Sequence, residues 1–316
     1  MIDLAMLGVG GGMPLPGRYL SASLLNFKGR KILIDCGEGT QVSMRELGWG
    51  FKAIDIICIT HAHGDHIVGL PGLLSTIGNS GRENPITIIG PIGITKIVDG
   101  LRLIAPYLPY EINMIEAETS DFKFMVNDEN LKLTDKDSKV FEALEISTLK
   151  VDHSTECIAY SFKVDRAPKF DIDKATKNNV PKNLWGKLQK GENVTVDNLV
   201  YSPDMILGDA RSGLKLSYVT DTRNIDEIIN FVSESDLFVC EGTYGDDGDI
   251  EKAIKNKHMT FREAATLAKS ANVSELLLTH FSPAMPSPSL FSDNATSVFE
   301  NTTIGEEKLI IKLNFK

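Results

Sequence analysis

Little in this chain speaks for a disulfide scaffold, a membrane protein or a nucleic-acid coat. Its 316 residues include only four cysteines, Cys36, Cys58, Cys157 and Cys240, far apart and with no C-x-x-C pair. That spacing excludes a cysteine-built zinc site and a disulfide framework, and reads as reduced core thiols. No apolar run reaches the ~20 residues that a bilayer-spanning helix needs. The N-terminus starts acidic and meets glycines before a signal-type apolar stretch can form, so a cytoplasmic protein away from membranes is expected. Basic residues are in deficit as well, with 33 Lys and Arg against 43 Asp and Glu and a formal net charge of −10. A uniformly acidic surface repels polyanions, so nucleic acid could be met only at a local basic patch.

With 42% apolar and 24% charged residues, the chain has a globular make-up and is long enough for one large domain or two small ones; a single domain over residues 1–316 is expected. Short apolar runs at 4–9, 31–35, 54–60, 86–89, 146–151, 216–220, 237–240 and 276–279 read as strands. Helical spacing follows the histidines of residues 61–66, with Ile67, Leu70, Leu73, Leu74 and Ile77 on one face and Pro71 near the first turn. Thr260 and Glu263 match a capping box ahead of Ala264, Leu267, Ala268 and Ala271. Alternating strands and helices imply an α/β sandwich with buried sheets.

One segment departs from the acidic average. Residues 163–190 hold eight basic side chains, Lys182, Lys187 and Lys190 among them, against three acidic ones. Pro168, Pro181 and Gly186 interrupt any long helix there, so residues 163–214 read as an inserted arm with its return segment. Charge alone is equally compatible with a solvated lysine-rich surface.

The densest chemistry is His61-Ala62-His63-Gly64-Asp65-His66, which ends the apolar run at 54–60. Small residues between four potential ligands let one tight loop aim several imidazoles and a carboxylate at a common volume. Such ligands suit zinc, or another divalent ion such as manganese. His153, Asp221 and His280 each follow the end of another strand, the edge where open α/β sheets build their sites. Taken together, these groups fit two ions. His61, His63 and His153 would serve one, Asp65, His66 and His280 the other, with Asp221 shared between them. Two ions about 3.5–4 Å apart suit phosphoryl displacement. His258 is the remaining histidine; with Glu241 it forms a candidate carboxylate–imidazole pair for protonating a leaving oxygen, or else a plain contact near a helix start.

At these residues the chain resembles the metallo-β-lactamase superfamily, whose signature is H-x-H-x-D-H. Gly69-Leu70-Pro71-Gly72-Leu73-Leu74 narrows the likeness to the ribonuclease Z (tRNA 3′-processing endonuclease) family. Asp35-Cys36-Gly37-Glu38-Gly39-Thr40-Gln41, Tyr218-Val219-Thr220-Asp221-Thr222-Arg223 and Leu278-Thr279-His280-Phe281-Ser282-Pro283 are similar to further segments of that family. The resemblance implies an αβ/βα four-layer sandwich, usually a homodimer, that removes the 3′ trailer of precursor tRNA. It implies Asp65 as metal ligand and proton acceptor, and His258 with Glu241 as the pair assisting the leaving group. It also implies an arm that grips the tRNA elbow region, within the basic segment already set apart by charge. The chain departs from the family pattern at Lys182-Asn183, at Ala284-Met285 and in the loop at 13–19, and Cys240 stands where the family sometimes has histidine. Two other readings compete: a hydrolase of the same fold acting on a small phosphodiester or other ester, and a metal-stabilised nucleic-acid-binding protein without activity.

Overall fold

The computed structural model describes residues 1–126, 130–135 and 143–315. The first half runs β1 (Ile2–Gly8), β2 (Ala22–Phe27), β3 (Arg30–Ile34), α1 (Thr40–Leu47), β4 (Ile54–Cys58), α2 (Gly64–Ile67), α3 (Leu70–Asn79), β5 (Ile86–Gly90), α4 (Ile94–Arg102) and β6 (Ile112–Glu116). The second continues with β7 (Ser120–Val126), β8 (Leu131–Thr134), β9 (Leu144–Lys150), β10 (Ile158–Arg166), α5 (Ile172–Lys177), α6 (Trp185–Leu188), β11 (Val194–Val196), β12 (Leu199–Tyr201) and β13 (Arg211–Val219). It ends with α7 (Asp226–Val232), β14 (Leu237–Glu241), α8 (Ile250–Asn256), α9 (Phe261–Ser270), β15 (Leu276–Thr279), α10 (Ser292–Thr296), β16 (Thr302–Ile304) and β17 (Ile310–Leu313).

Two mixed sheets result. One has the order β17-β1-β2-β3-β4-β5-β6, the other β16-β15-β14-β13-β10-β9-β7-β8. Alternation along the strands explains the layering. Leu4, Met6, Leu25, Ile32 and Ile34 of the first sheet share a core with Phe124, Ile146, Phe162 and Leu216 of the second. Leu7, Leu24, Leu33 and Ile57 turn the other way and pack with Leu70, Leu74 and Val98 from α3 and α4. On the far side α9 covers the second sheet with Phe261, Ala264 and Leu267. The order is therefore helix, sheet, sheet, helix, the expected sandwich. Buried Tyr160 pins the sheets together, its hydroxyl donating to the carbonyls of Ile59 (2.8 Å) and Ile89 (2.9 Å).

The helix expected after His66 is split. Gly69 turns the chain between α2 and α3, its N–H donating to the Cys36 carbonyl at 2.8 Å. A Cβ there would lie 2.4 Å from the Gly37 oxygen, so only glycine lets this turn sit against the 35–37 loop. The capping box forms as expected, with Thr260 accepting from the Glu263 N–H and Glu263 from the Thr260 N–H. All four cysteines are buried and unpaired.

The ends of the basic segment belong to the sheet. Residues 163–166 complete β10, and 211–214 start β13, with Lys163 opposite Lys215 and Val164 opposite Leu214. The excursion is 167–210. Within it Ala175, Val180, Leu184, Leu188, Ile206 and Leu207 form a small core separate from the body's two. No helix among the described residues is long and apolar enough to cross a membrane.

Candidate metal centre

Strand ends build the site. His61 follows β4, His153 follows β9, Asp221 follows β13, Glu241 closes β14 and His280 follows β15. Asp221 (φ 48°) and His280 (φ 59°) adopt left-handed backbone, as does Asp35 (φ 58°) beyond β3. For residues with a Cβ this costs on the order of 1–2 kcal/mol each, an expense in keeping with side chains turned sharply off a strand into a site.

The geometry brings all seven candidate ligands together. His63 Nδ1 is 3.0 Å from His61 Nε2 and 3.2 Å from His153 Nε2. His66 Nε2 is 3.2 Å from His280 Nε2, and Asp65 Oδ2 lies 3.5 Å from the first and 3.4 Å from the second. Asp221 divides its oxygens. Oδ2 lies 3.7 Å from both His61 and His153, while Oδ1 lies 3.3 Å from His66 and 3.2 Å from His280. Ligands about 2.0–2.1 Å from a tetrahedral ion are about 3.3 Å apart, so the spacing fits divalent cations. His63 and Asp65 are only partly buried, and the cluster opens on their side.

Outer partners aim the rings. His66 Nδ1 meets Asp35 Oδ2 at 2.7 Å, His61 Nδ1 the Thr60 hydroxyl at 3.1 Å, His280 Nδ1 the Thr243 hydroxyl at 2.9 Å and His153 Nδ1 the Lys257 carbonyl at 3.2 Å. Each contact engages Nδ1 and leaves Nε2 facing the cluster, the usual arrangement around a metal. Asp35 also accepts from the Thr60 N–H and hydroxyl. The Gly12 N–H donates to Asp65 Oδ2 at 2.6 Å. Gly11 must lack a side chain, since a Cβ there would be 2.4 Å from the His280 ring.

Electrostatics suit the same role. Burial holds His61 and His153 below the usual histidine range, so both rings are neutral and able to ligate. Burial opposes charge on Asp65 and Asp221, but the facing histidines outweigh it and hold both carboxylates low. Burial also opposes charge on His66, yet Asp221 and Asp35 push it well up. Carboxylates that favour a proton there equally favour a cation.

His258 stands beside this cluster. Its Nδ1 is 3.2 Å from Oε1 of fully buried Glu241 and 3.9 Å from Asp221 Oδ2. Glu241 is fixed by the Thr222 N–H (2.7 Å), the Thr243 hydroxyl (2.6 Å) and the Met259 N–H (3.1 Å). Burial works against the imidazolium, but Glu241 more than offsets it and pushes His258 up to about 9. Lys182, Lys187 and Lys190 lie elsewhere, exposed on the arm.

The resemblance set Asp35 in a segment that packs near the metal loop but gave the residue itself no role, and sequence reasoning passed over Thr60, Thr243 and Lys257. Asp35 carried a usable signal, an acidic residue just past a strand end like the candidate ligands themselves. The others act through a hydroxyl or a main-chain carbonyl, which leave no such mark.

Two mixed sheets under outer helices, with a His and Asp centre along their joined strand ends, define a metal-dependent hydrolase of the metallo-β-lactamase fold. Solved structures agree on the fold. The chain is similar to the short form of human tRNase Z, with 24% identity, a TM-score of 0.65 and coverage of 99% of this chain and 100% of that one. It is also similar to a long-form RNase Z from yeast, with 20% identity, a TM-score of 0.66 and coverage of 98% and 41%. Residues 2–190 match the family described as anti-Pycsar protein Apyc1, a span that includes His61–His66 and His153 but stops before Asp221. Relatives covering the whole site are ribonuclease Z of Clostridium botulinum (strain Eklund 17B / Type B) and of Clostridioides difficile (strain 630). Each is 57% identical over 315 residues, spanning 100% of this chain and 99% of the relative. The chain belongs to the ribonuclease Z family of tRNA 3′-processing endoribonucleases.

Proposed function

We propose that this chain removes the 3′ trailer of precursor tRNA in the cytoplasm, with two divalent ions, zinc or else manganese, held by His61, His63 and His153 on one side and Asp65, His66 and His280 on the other. The carrying observation is Asp221, whose two oxygens face the two groups separately. Divalent ions held there would supply an activated water and neutralise charge gathering on the phosphate. Asp65, ionised and held by the Gly12 N–H, accepts the proton of the attacking water. His258 is cationic at neutral pH and donates a proton to the oxygen that leaves, while Glu241 keeps it charged and oriented.

The arm supports RNA over a small diester. Its root lies at Arg166 and Arg211, whereas the site lies at the opposite end of β10, eight residues or roughly 26 Å away. Lys182, Lys187 and Lys190 on such an arm suit a folded RNA that extends far from the cut. A homodimer is the assembly this reading carries, and light scattering on the active protein checks it.

The deciding experiment is incubation with a precursor tRNA bearing a 3′ trailer, after metal analysis. Release of the trailer with about two metal equivalents supports the reading. Hydrolysis of a model diester with the precursor left intact would favour the small-substrate alternative.

A further inference from the structure

The structure carries one strap that the chemistry above does not use. Arg223 is two residues beyond Asp221, with its side chain 16% exposed. Its guanidinium donates to the main-chain carbonyl of His258 and pairs with Glu263, the NH1 to Oε2 contact being 3.2 Å. Its N–H donates to the Asp152 carbonyl at 3.0 Å, next to His153. Glu263 closes the capping box of α9, only five residues beyond His258. One planar fork thus ties the loop that holds Asp221 to the turn that holds His258. That turn needs restraint. Lys257 before it is left-handed (φ 57°), and the hydrogen-bond partners of His258's ring, Glu241 and Thr243 at 3.2 and 3.3 Å, both meet Nδ1.

We propose that Arg223 is a positioning residue for leaving-group protonation. By fixing the His258 carbonyl it sets the distance of the imidazole from the phosphate oxygen that leaves, and it contributes little to holding metal or to attack. The proposal rests on His258 being the acid. A lysine at 223 keeps the charge but, as a single point donor, cannot reproduce the fork that engages both His258 and Glu263.

The test compares leaving groups. Arg223→Met, Arg223→Lys and His258→Ala are assayed beside wild type on precursor tRNA, on a dinucleoside phosphate and on bis(4-nitrophenyl) phosphate. The first two substrates expel an alkoxide that needs a proton, whereas 4-nitrophenolate leaves without one. Arg223→Met is expected to lose roughly 10²-fold or more in kcat on the alkoxide substrates, the scale of general acid catalysis, with KM unchanged. On the nitrophenyl diester it is expected to fall by no more than a few-fold, with metal content that of wild type, and Arg223→Lys is expected to fall between. Equal losses on both leaving groups, or lost metal, would overturn the proposal. Should Arg223→Met fail to fold, Arg223→Lys carries the same comparison. Failure of the underlying reading looks different. Intact precursor with a cleaved dinucleoside phosphate removes only the tRNA substrate, whereas equal losses for His258→Ala on all substrates remove the acid and this proposal with it.

Discussion

His66 Nδ1 lies 2.7 Å from Asp35 Oδ2, with both side chains fully buried. This contact fixes the ring so that Nε2 faces Asp65, His280 and Asp221. Asp35→Ala should weaken metal binding at the Asp65, His66 and His280 group by about 10–100-fold, the usual cost of losing an outer partner. Binding at the His61, His63 and His153 group should change less. Stepwise metal titration of the apoprotein separates the two, and unchanged affinity at both would remove Asp35 from this role.

The proposed sharing of Asp221 between two ions sets it apart from candidate ligands that would serve one. Asp221→Ala should weaken both metal equivalents together, whereas His153→Ala should weaken one. Metal content after dialysis reads the difference. Two full equivalents in Asp221→Ala would end the idea of a shared carboxylate.

The pH profile follows from Glu241. His258, pushed up to about 9, is protonated at neutral pH, so activity on RNA should fall as pH rises through about 9. In Glu241→Gln the charge that offsets burial is gone and the imidazole loses its proton at lower pH. The alkaline limb should therefore move down by at least a unit, leaving more activity at pH 6 than at pH 8. A profile of kcat on precursor tRNA checks the direction; an unmoved limb would assign it to another group.

Gly11→Ala tests packing against the centre. The new Cβ would meet the His280 ring at 2.4–2.8 Å, with the ring held between Thr243 and the cluster. Metal affinity should drop by about 10-fold or more as this ligand shifts. The fold should persist, since Gly11 lies outside the strands. Titration beside a thermal melt distinguishes a displaced ligand from an unfolded chain.

Replacing Lys182, Lys187 and Lys190 together by alanine should raise KM for precursor tRNA about 10-fold or more with little change on a small diester. Each lost phosphate contact should also reduce the log–log salt slope of RNA binding by roughly 0.7–0.9. Equal effects on both substrates would count against an RNA-gripping arm.

Several elements were legible because local chemistry specifies them. The eight apolar runs coincide with β1, β3, β4, β5, β9, β13, β14 and β15 to within two residues at each end, except that β13 begins at Arg211, five residues before its run. Sheet-edge β6, β8, β16 and β17 carry more exposed or charged residues and were not anticipated. β10 was missed for another reason, since its last residues share the arm's basic composition. The His61–His66 cluster was readable from spacing alone, and His153, Asp221 and His280 from their placement after strands.

Residue types and their spacing, then, were enough to determine the chemistry available to this protein: imidazoles and carboxylates at strand ends and a basic segment on an acidic body, with the family following from the resemblance of its motifs. Tertiary structure alone decided how those groups are aimed. Parallel pairing of β3 with β4, Ile34 opposite Cys58, brings Asp35 to Thr60 across 25 residues. β13, antiparallel to β10 and parallel to β14, ends where left-handed Asp221 can face both histidine groups. The grip of Arg223 on the His258 carbonyl likewise exists only in the fold. Ligand identity is a property of side chains written in order, whereas orientation depends on strand register and main-chain donors and acceptors, which every residue carries and no residue type reveals.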